Sequence, residues 1–317
     1  MSKNFKGTVF LLITALFWGS TFVAQEMAAK QFHIGAFTYQ SMRMFVGSLS
    51  LLPVIAVSTH LKKKSGTYKK PDKKDKKQLL SAGIICGTVL CVASCLQQIA
   101  LQDKNTGSGK IAFITALYIL LVPVINFFFG HKIDLKTVIS IGLGLVGLYF
   151  LSIKPGSFSI SEGDFYGILC ALVFSAHILF VDYFAPKVDP VKLSALQFFV
   201  CGAIALIPTL LMEKPLVSDI LNCYGPILYA GIFSCGIAYT FQIFGQKYTN
   251  PATASVLMSL ESPFGVLSGL VVMNIAPSTA VWLKAPDSRE WIGCIIMFFA
   301  IILSQLPLKK LRIFKKQ

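Results

Sequence analysis

The sequence has very little charge for its length. Only 14% of its 317 residues are charged, against roughly 25% in soluble domains. In contrast, 55% are hydrophobic and the mean hydropathy is +0.69. A soluble chain of this length could not bury so much apolar surface in one core. The composition therefore excludes a soluble globular protein and indicates an integral membrane protein.

The sequence also lacks the motifs of common enzyme and cofactor sites. There is no Walker glycine loop and no nucleophile elbow. The eight cysteines form no CxxC pair, and no histidines cluster beside them. We therefore expect no enzyme activity, no cofactor, no metal and no disulfide. A membrane-embedded enzyme or a receptor remains a less favoured alternative, because neither convergent titratable groups at one membrane face nor a sizeable soluble domain is evident.

The apolar residues come in runs of about 20, enough for a helix to cross a bilayer core of roughly 30 Å. The runs are continuously apolar rather than alternating, which excludes a β-barrel. The predicted fold class is an all-α membrane protein with ten transmembrane helices. The predicted spans are Gly7–Ala28, Gly35–Ser58, Leu79–Leu101, Gly107–Phe129, Leu135–Ile153, Phe165–Phe184, Leu193–Met212, Tyr224–Gln246, Ala252–Met273 and Trp291–Leu306.

Lysine and arginine are unevenly distributed between the predicted loops. If the N-terminus is cytoplasmic, about three quarters of the 29 basic residues lie on the cytoplasmic side. Nine of them are lysines between Lys62 and Lys77. This bias predicts that both termini are cytoplasmic. It also explains the net charge of +15 without nucleic acid as a partner, and we expect the Lys-rich loop near residues 60–78 to face anionic lipid head groups.

The chain contains a weak internal repeat. Residues 7–53 can be laid over residues 163–208, with glycine and proline in matching positions. We therefore predict a first five-helix repeat at residues 1–155 and a second, with a basic C-terminal tail, at residues 156–317. Because five is odd, the second repeat enters the membrane from the other side, and such inverted repeats are typical of secondary transporters.

Three short stretches are distinctive: Trp18-Gly19-Ser20-Thr21-Phe22, Phe113-Ile114-Thr115-Ala116-Leu117-Tyr118 and Ser259-Leu260-Glu261-Ser262-Pro263. In this order they resemble EamA-type members of the drug/metabolite transporter superfamily. The resemblance implies ten helices in a five-plus-five inverted repeat, and export of amino acids or other small metabolites. The chain departs from the family after Val272, where a longer stretch with Trp282 and Lys284 replaces a Leu-Gly-Glu turn.

Two charged residues inside the predicted spans are functional candidates, because charge within a bilayer is costly. Glu261 lies near the middle of the ninth span, and Pro263 is expected to kink the helix there. Its carboxyl group either couples protons or contacts substrate, or it makes a structural hydrogen bond at a helix end. Arg43 in the second span either holds a substrate carboxylate or pairs with Glu26.

Polar and aromatic side chains are the remaining candidates for substrate binding or coupling. His177 is either a proton relay or a hydrogen-bonded packing residue. The other candidates either line a substrate cavity or only pack against neighbouring helices: Trp18, Tyr39, Tyr118, Tyr239, Gln97, Gln98, Gln242 and Gln246. The glutamines occupy corresponding helices of the two repeats, which predicts that at least one faces a cavity.

Together these features predict a secondary transporter that exports or exchanges amino acids or similar metabolites by alternating access. A proton-coupled exporter and an uncoupled facilitator both fit. The expected location is the plasma membrane, as in a bacterial cell membrane, and the expected partners are a small-molecule substrate and the lipid bilayer. Gly142, Gly144 and Gly147 form a small-residue face that either packs helices within the monomer or forms a homodimer.

Overall fold

The protein is described by a computed structural model, which covers residues 3–103, 108–130, 135–152, 161–275 and 285–305. Within these ranges the chain forms helices and turns, with no strand. The stretch with Trp282 and Lys284, and the basic C-terminal tail of the predicted second repeat, lie outside the described residues. The α-helices are α1 Lys3–Lys30, α2 Ala36–Lys64, α3 Lys73–Gln102, α4 Ser108–Ala116, α5 Tyr118–Phe128, α6 Leu135–Ser152, α7 Glu162–Phe184, α8 Pro190–Pro208, α9 Val217–Asn222, α10 Tyr224–Tyr229, α11 Thr240–Gln246, α12 Pro251–Met258, α13 Glu261–Ile275 and α14 Ser288–Gln305.

In the described part of the chain, seven helical segments are long and apolar enough to cross a membrane: Phe5–Lys30, Ala36–Lys64, Lys73–Gln102, Glu162–Phe184, Pro190–Glu213, Tyr224–Gln246 and Pro251–Ile275. Two shorter apolar helices, Ile114–Phe128 and Leu135–Phe150, lie between the third and fourth of these segments. The chain is therefore a multi-pass, all-helical membrane protein. The total of ten spans stays a prediction.

The outer surface of the helix bundle is apolar and its interior is partly polar. Large hydrophobic side chains such as Leu49, Phe128 and Phe299 are exposed. Arg43 and Gln98, in contrast, are buried. This distribution is the one a bilayer demands, because lipid solvates apolar side chains and polar groups must find partners inside the protein.

Helices α2 and α8 run antiparallel and are linked at both ends. At one end the Glu213 carboxylate accepts hydrogen bonds from the backbone N–H groups of Phe37 and Thr38, at 2.9 and 2.7 Å. At the other end Lys62 Nζ lies 3.3 Å from Oδ2 of Asp189, the N-cap of α8. We call the side of the molecule at Lys62 the basic face, and the side at Glu213 the opposite face.

Two helical segments are broken in the middle. α4 ends at Ala116 and α5 begins at Tyr118, whereas α12 ends at Met258 and α13 begins at Glu261. The sequence predicts a kink at Pro263, and the break lies just before Glu261 instead. Pro263 occupies the first turn of α13, where its missing N–H leaves no helical hydrogen bond unmade.

Among the described residues, two segments adopt π-helical hydrogen bonding, which was not predicted from the sequence. Thr209–Glu213 extends α8, and Ala230–Tyr239 joins α10 to α11. π-Helical turns are rare and occur frequently at functional sites. The second segment ends at a residue that lines the central cavity described next.

Candidate functional site

A narrow cavity lies inside the bundle where the helix breaks meet. It is lined by side chains from α1, α2, α3, α4, α5, α7, the π-helical segment Ala230–Tyr239 and α13. The lining residues are Trp18, Thr21, Phe22, Gln25, Arg43, Gln97, Thr115, Tyr118, Phe174, Ser234, Tyr239 and Glu261. Contributions from both halves of the chain place this central cavity at their interface.

The two broken segments contact each other across the cavity wall. Tyr118 is the first residue of α5 and Glu261 the first residue of α13. The Tyr118 hydroxyl donates a hydrogen bond of 2.9 Å to Glu261 Oε1, and both side chains are buried. The breaks therefore bring a carboxyl group and a phenol together at the ends of two half-helices, an arrangement typical of transporter binding sites.

Helix α1 passes directly against the break before α13. A side chain at Gly19 would overlap the Glu261 carbonyl oxygen, and its Cβ would lie 2.7 Å from the backbone nitrogen of Gly265. Glycine is therefore required for this close approach. Trp18, its neighbour in the sequence, consequently reaches the cavity beside Glu261.

Arg43 is 2% exposed and also lines the cavity. Its Nε donates to Gln40 Oε1 at 2.7 Å, and its guanidinium carbon lies 5.4 Å from the centre of the Tyr39 ring. The alternative prediction, that Arg43 pairs with Glu26, is wrong because Glu26 pairs with Lys30 at 2.6 Å. Among the described residues, no carboxylate lies within 4.0 Å of the Arg43 side-chain nitrogens.

Aromatic rings form one wall of the cavity. The ring centres of Trp18 and Tyr239 are 4.7 Å apart, and Phe198 packs on the outside of Tyr239 at 5.8 Å. The buried Trp18 Nε1 has no hydrogen-bond partner among the described residues. A buried donor of this kind is costly unless a bound group accepts from it.

Six predicted residues line the cavity and five do not. The six are Trp18, Arg43, Gln97, Tyr118, Tyr239 and Glu261. The five are buried elsewhere: Tyr39, Gln98, His177, Gln242 and Gln246. Tyr39 donates a hydrogen bond of 3.4 Å to the Pro226 carbonyl, and Gln98 donates one of 3.2 Å to the Gln25 carbonyl.

Six further residues line the cavity that were not predicted from the sequence: Thr21, Phe22, Gln25, Thr115, Phe174 and Ser234. The first three follow Trp18 by three, four and seven positions, which is one face of a helix. That periodicity is a signal from which they could have been found. Phe174 and Ser234 have no comparable signal, because similar residues occur throughout the spans.

The cavity is small in this conformation. Its free volume of about 20 Å³ is enough for a water molecule but not for a metabolite. A substrate can therefore enter only if the surrounding helices separate.

The chain is similar to known transporters along most of its length. A family model described as the EamA-like transporter family matches residues 5–153 and again residues 161–306. A relative from Archaeoglobus fulgidus, named an uncharacterized transporter, is 26% identical over 301 residues, which is 93% of this chain and 84% of the relative. A second relative, from Clostridium kluyveri, is also named an uncharacterized transporter. It is 24% identical over 281 residues, which is 85% of this chain and 86% of the relative.

A solved crystal structure has the same fold. It superposes with a TM-score of 0.69 at 18% sequence identity, and the superposition covers 94% of this chain and 96% of that one.

Proposed function

The chain belongs to the EamA-like transporter family and is a membrane transporter of small molecules, and on that basis we propose that it carries amino acids or similar zwitterionic metabolites by alternating access. The proposed direction is export or exchange across the plasma membrane.

The observation that carries the proposal is the presence of one acidic and one basic side chain in the central cavity. Glu261 and Arg43 both line it, and they form no ion pair with each other. Charged groups inside a membrane protein are costly unless they serve a bound ligand or a partner. An amino acid supplies an ammonium group for Glu261 and a carboxylate for Arg43, so one ligand can neutralise both.

The two family matches support a pair of related halves, and we propose ten spans arranged as an inverted repeat. The proposed halves are residues 1–155 and 156–317. The meeting of the Tyr118 and Glu261 helix breaks supports rocking of one half against the other around the cavity.

We propose that Glu261 also carries the coupling proton. A carboxyl group that is enclosed in one conformation and faces water in another can bind a proton on one side of the membrane and release it on the other. If Glu261 serves only to bind substrate, the protein is an uncoupled facilitator.

The experiment is counterflow of a radiolabelled amino acid in proteoliposomes containing the purified protein. We expect unlabelled amino acid to compete at least tenfold better than the matching amine or the matching carboxylic acid, because each analogue leaves one charged group unpaired. Arg43→Gln should weaken transport while the protein still inserts and folds. Equal competition by the amine would show that Arg43 holds no carboxylate, and loss of the variant from the membrane would make Arg43 structural.

A further inference from the structure

Several buried polar side chains lie outside the central cavity, between α7, α8 and α11. We call His177, Gln197, Gln242 and Gln246 the polar seam. All four are at most 3% exposed. The seam extends from the cavity wall toward the basic face, the end at which α7 and α11 finish and α8 begins.

Close contacts connect the seam to the cavity. The His177 ring lies 6.1 Å from the ring of Tyr239, which lines the cavity. His177 Nε2 lies 3.2 Å from Gln197 Oε1. Gln242 and Gln246 follow Tyr239 by three and seven positions, so they share its helix face. Gln246 Nε2 donates to the Ile178 carbonyl at 2.9 Å, which places this face against α7.

Most of the seam's hydrogen-bonding capacity is unused. Among the described residues, these buried atoms have no partner: His177 Nδ1, Gln197 Nε2, Gln242 Nε2 and Oε1, and Gln246 Oε1. A well-packed core avoids such atoms, because each loses its hydrogen bonds to water and gains nothing in return.

The corresponding glutamines on the other side of the cavity are paired. Gln25 Nε2 donates to Gln97 Oε1 at 3.1 Å and to Gln98 Oε1 at 3.2 Å. Gln98 Nε2 donates in turn to the Gln25 carbonyl at 3.2 Å. In the described part of the chain, no fully buried amide atom of these three side chains lacks a partner. The buried glutamines toward the opposite face are therefore hydrogen-bonded to one another, whereas several seam atoms toward the basic face lack partners among the described residues.

We propose that the polar seam lines the passage between the central cavity and the basic face, and binds water and the neutral hydrogen-bonding groups of the substrate when that passage opens. This inference rests on the proposed transport function. It explains why His177, Gln197 and Gln242 are polar although the closed conformation leaves His177 Nδ1, Gln197 Nε2 and both amide atoms of Gln242 without a partner among the described residues. It also gives them a role separate from the charged groups of the cavity.

The first test is Gln242→Met, with Gln98→Met as the matched control from the other side of the cavity. Methionine has a similar length and no hydrogen-bonding group to satisfy. We expect Gln242→Met to raise the thermal midpoint in detergent by about 2 °C or more and to slow counterflow at least threefold. Gln98→Met should lower the midpoint, because it removes two hydrogen bonds to Gln25, one from its amide nitrogen and one to its carbonyl oxygen. A lower midpoint for Gln242→Met would overturn the proposal.

The second test needs no substrate and keeps the passage separate from the proposed amino acid specificity. Gln242→Cys should react with a membrane-impermeant thiol reagent supplied at the basic face, above the background of the parent chain. Ile243→Cys is the control, since Ile243 is as buried as Gln242 but belongs to an apolar cluster with Val181 and Leu193 and not to the seam. If Gln242→Cys is labelled, Ile243→Cys is not, and the protein transports no amino acid, the proposed passage is supported and amino acids are rejected as the substrate. Equal or absent labelling at the two positions would reject the passage.

Discussion

The bond between Tyr118 and Glu261 leads to the sharpest prediction at the scale of single residues. Glu261→Gln keeps the shape and a hydrogen-bond acceptor for the Tyr118 hydroxyl but cannot take up a proton. We expect this variant to lose accumulation driven by a pH gradient. Counterflow exchange in proteoliposomes should persist, but with weaker amino acid binding, because the amide cannot neutralise the ammonium group. Glu162→Gln, at an exposed glutamate, is the control and should transport normally. Full gradient-driven accumulation by Glu261→Gln would leave the facilitator as the better interpretation.

For Arg43, the sequence predicts the location of the side chain but not all of its hydrogen-bond partners. Its position inside a span identified it as a cavity candidate, and it does line the cavity. Its predicted pairing with Glu26 failed because Lys30 lies one helical turn away on the same face and forms the shorter, local pair. Spacing of four residues is visible in the sequence, so this competition could have been predicted. The bond to Gln40 depends on side-chain orientation within the packed interior, which the sequence does not specify.

At the scale of helices, Pro263 indicated the right place for one of the two breaks but the wrong geometry. Pro263 was expected to kink a continuous helix, and it lies instead in the first turn of a new one. The break before Tyr118 has no proline beside it, since Pro123 comes five residues later. Such breaks depend on what packs against them, as the contact of Gly19 with Glu261 and Gly265 shows. Tertiary contacts of this kind are beyond local sequence patterns.

The start of α2 depends on a side chain from another helix. Its N-cap, Gly35, has no side chain, and Glu213 accepts the free backbone N–H groups of Phe37 and Thr38 instead. The Thr38 hydroxyl also donates to this carboxylate, at 2.6 Å. We expect Glu213→Ala to destabilise the protein by about 1–3 kcal/mol, because the helix start and the dipole lose their anionic partner. Thermal unfolding in detergent measures this effect.

Asp219 is a suitable control for that experiment. It caps only its own short helix, by accepting from the Leu216 N–H at 3.1 Å, and it is exposed. Asp219→Ala should therefore change stability less than Glu213→Ala. Equal losses would mean that the link between α8 and α2 contributes no more than an ordinary surface cap.

At the scale of the whole molecule, the composition and the length of the apolar runs were enough to predict a helical membrane protein. The seven long helical segments match seven predicted spans within a few residues at most ends, although α2 continues to Lys64 and α3 already begins at Lys73. These extensions consist largely of lysine, which hydropathy excludes from a span but which forms helix readily in water. The π-helical segments could not be predicted, because π hydrogen bonding has no distinctive residue pattern.

The arrangement across the membrane yields a prediction for the molecule as a whole. Lys69, between α2 and α3, should be cytoplasmic, and Lys214, after α8, should lie on the other side. Cysteine substitutions at these two exposed lysines should react with an impermeant reagent from opposite sides in intact cells and inverted vesicles. Reaction of both from one side would contradict the inverted repeat, since Glu213 and Lys62 would then have to share a face.

The π-helical hydrogen bonds of Ala230–Tyr239 allow a rotation of this span about its own axis. If one π turn returned to α bonding, every residue beyond it would rotate by about one position, roughly 100°, around the helix axis. Tyr239 and Gln242 would then turn away together from α7, without any bend in the span. A rotation of this kind would alter the cavity wall and the polar seam in a single step.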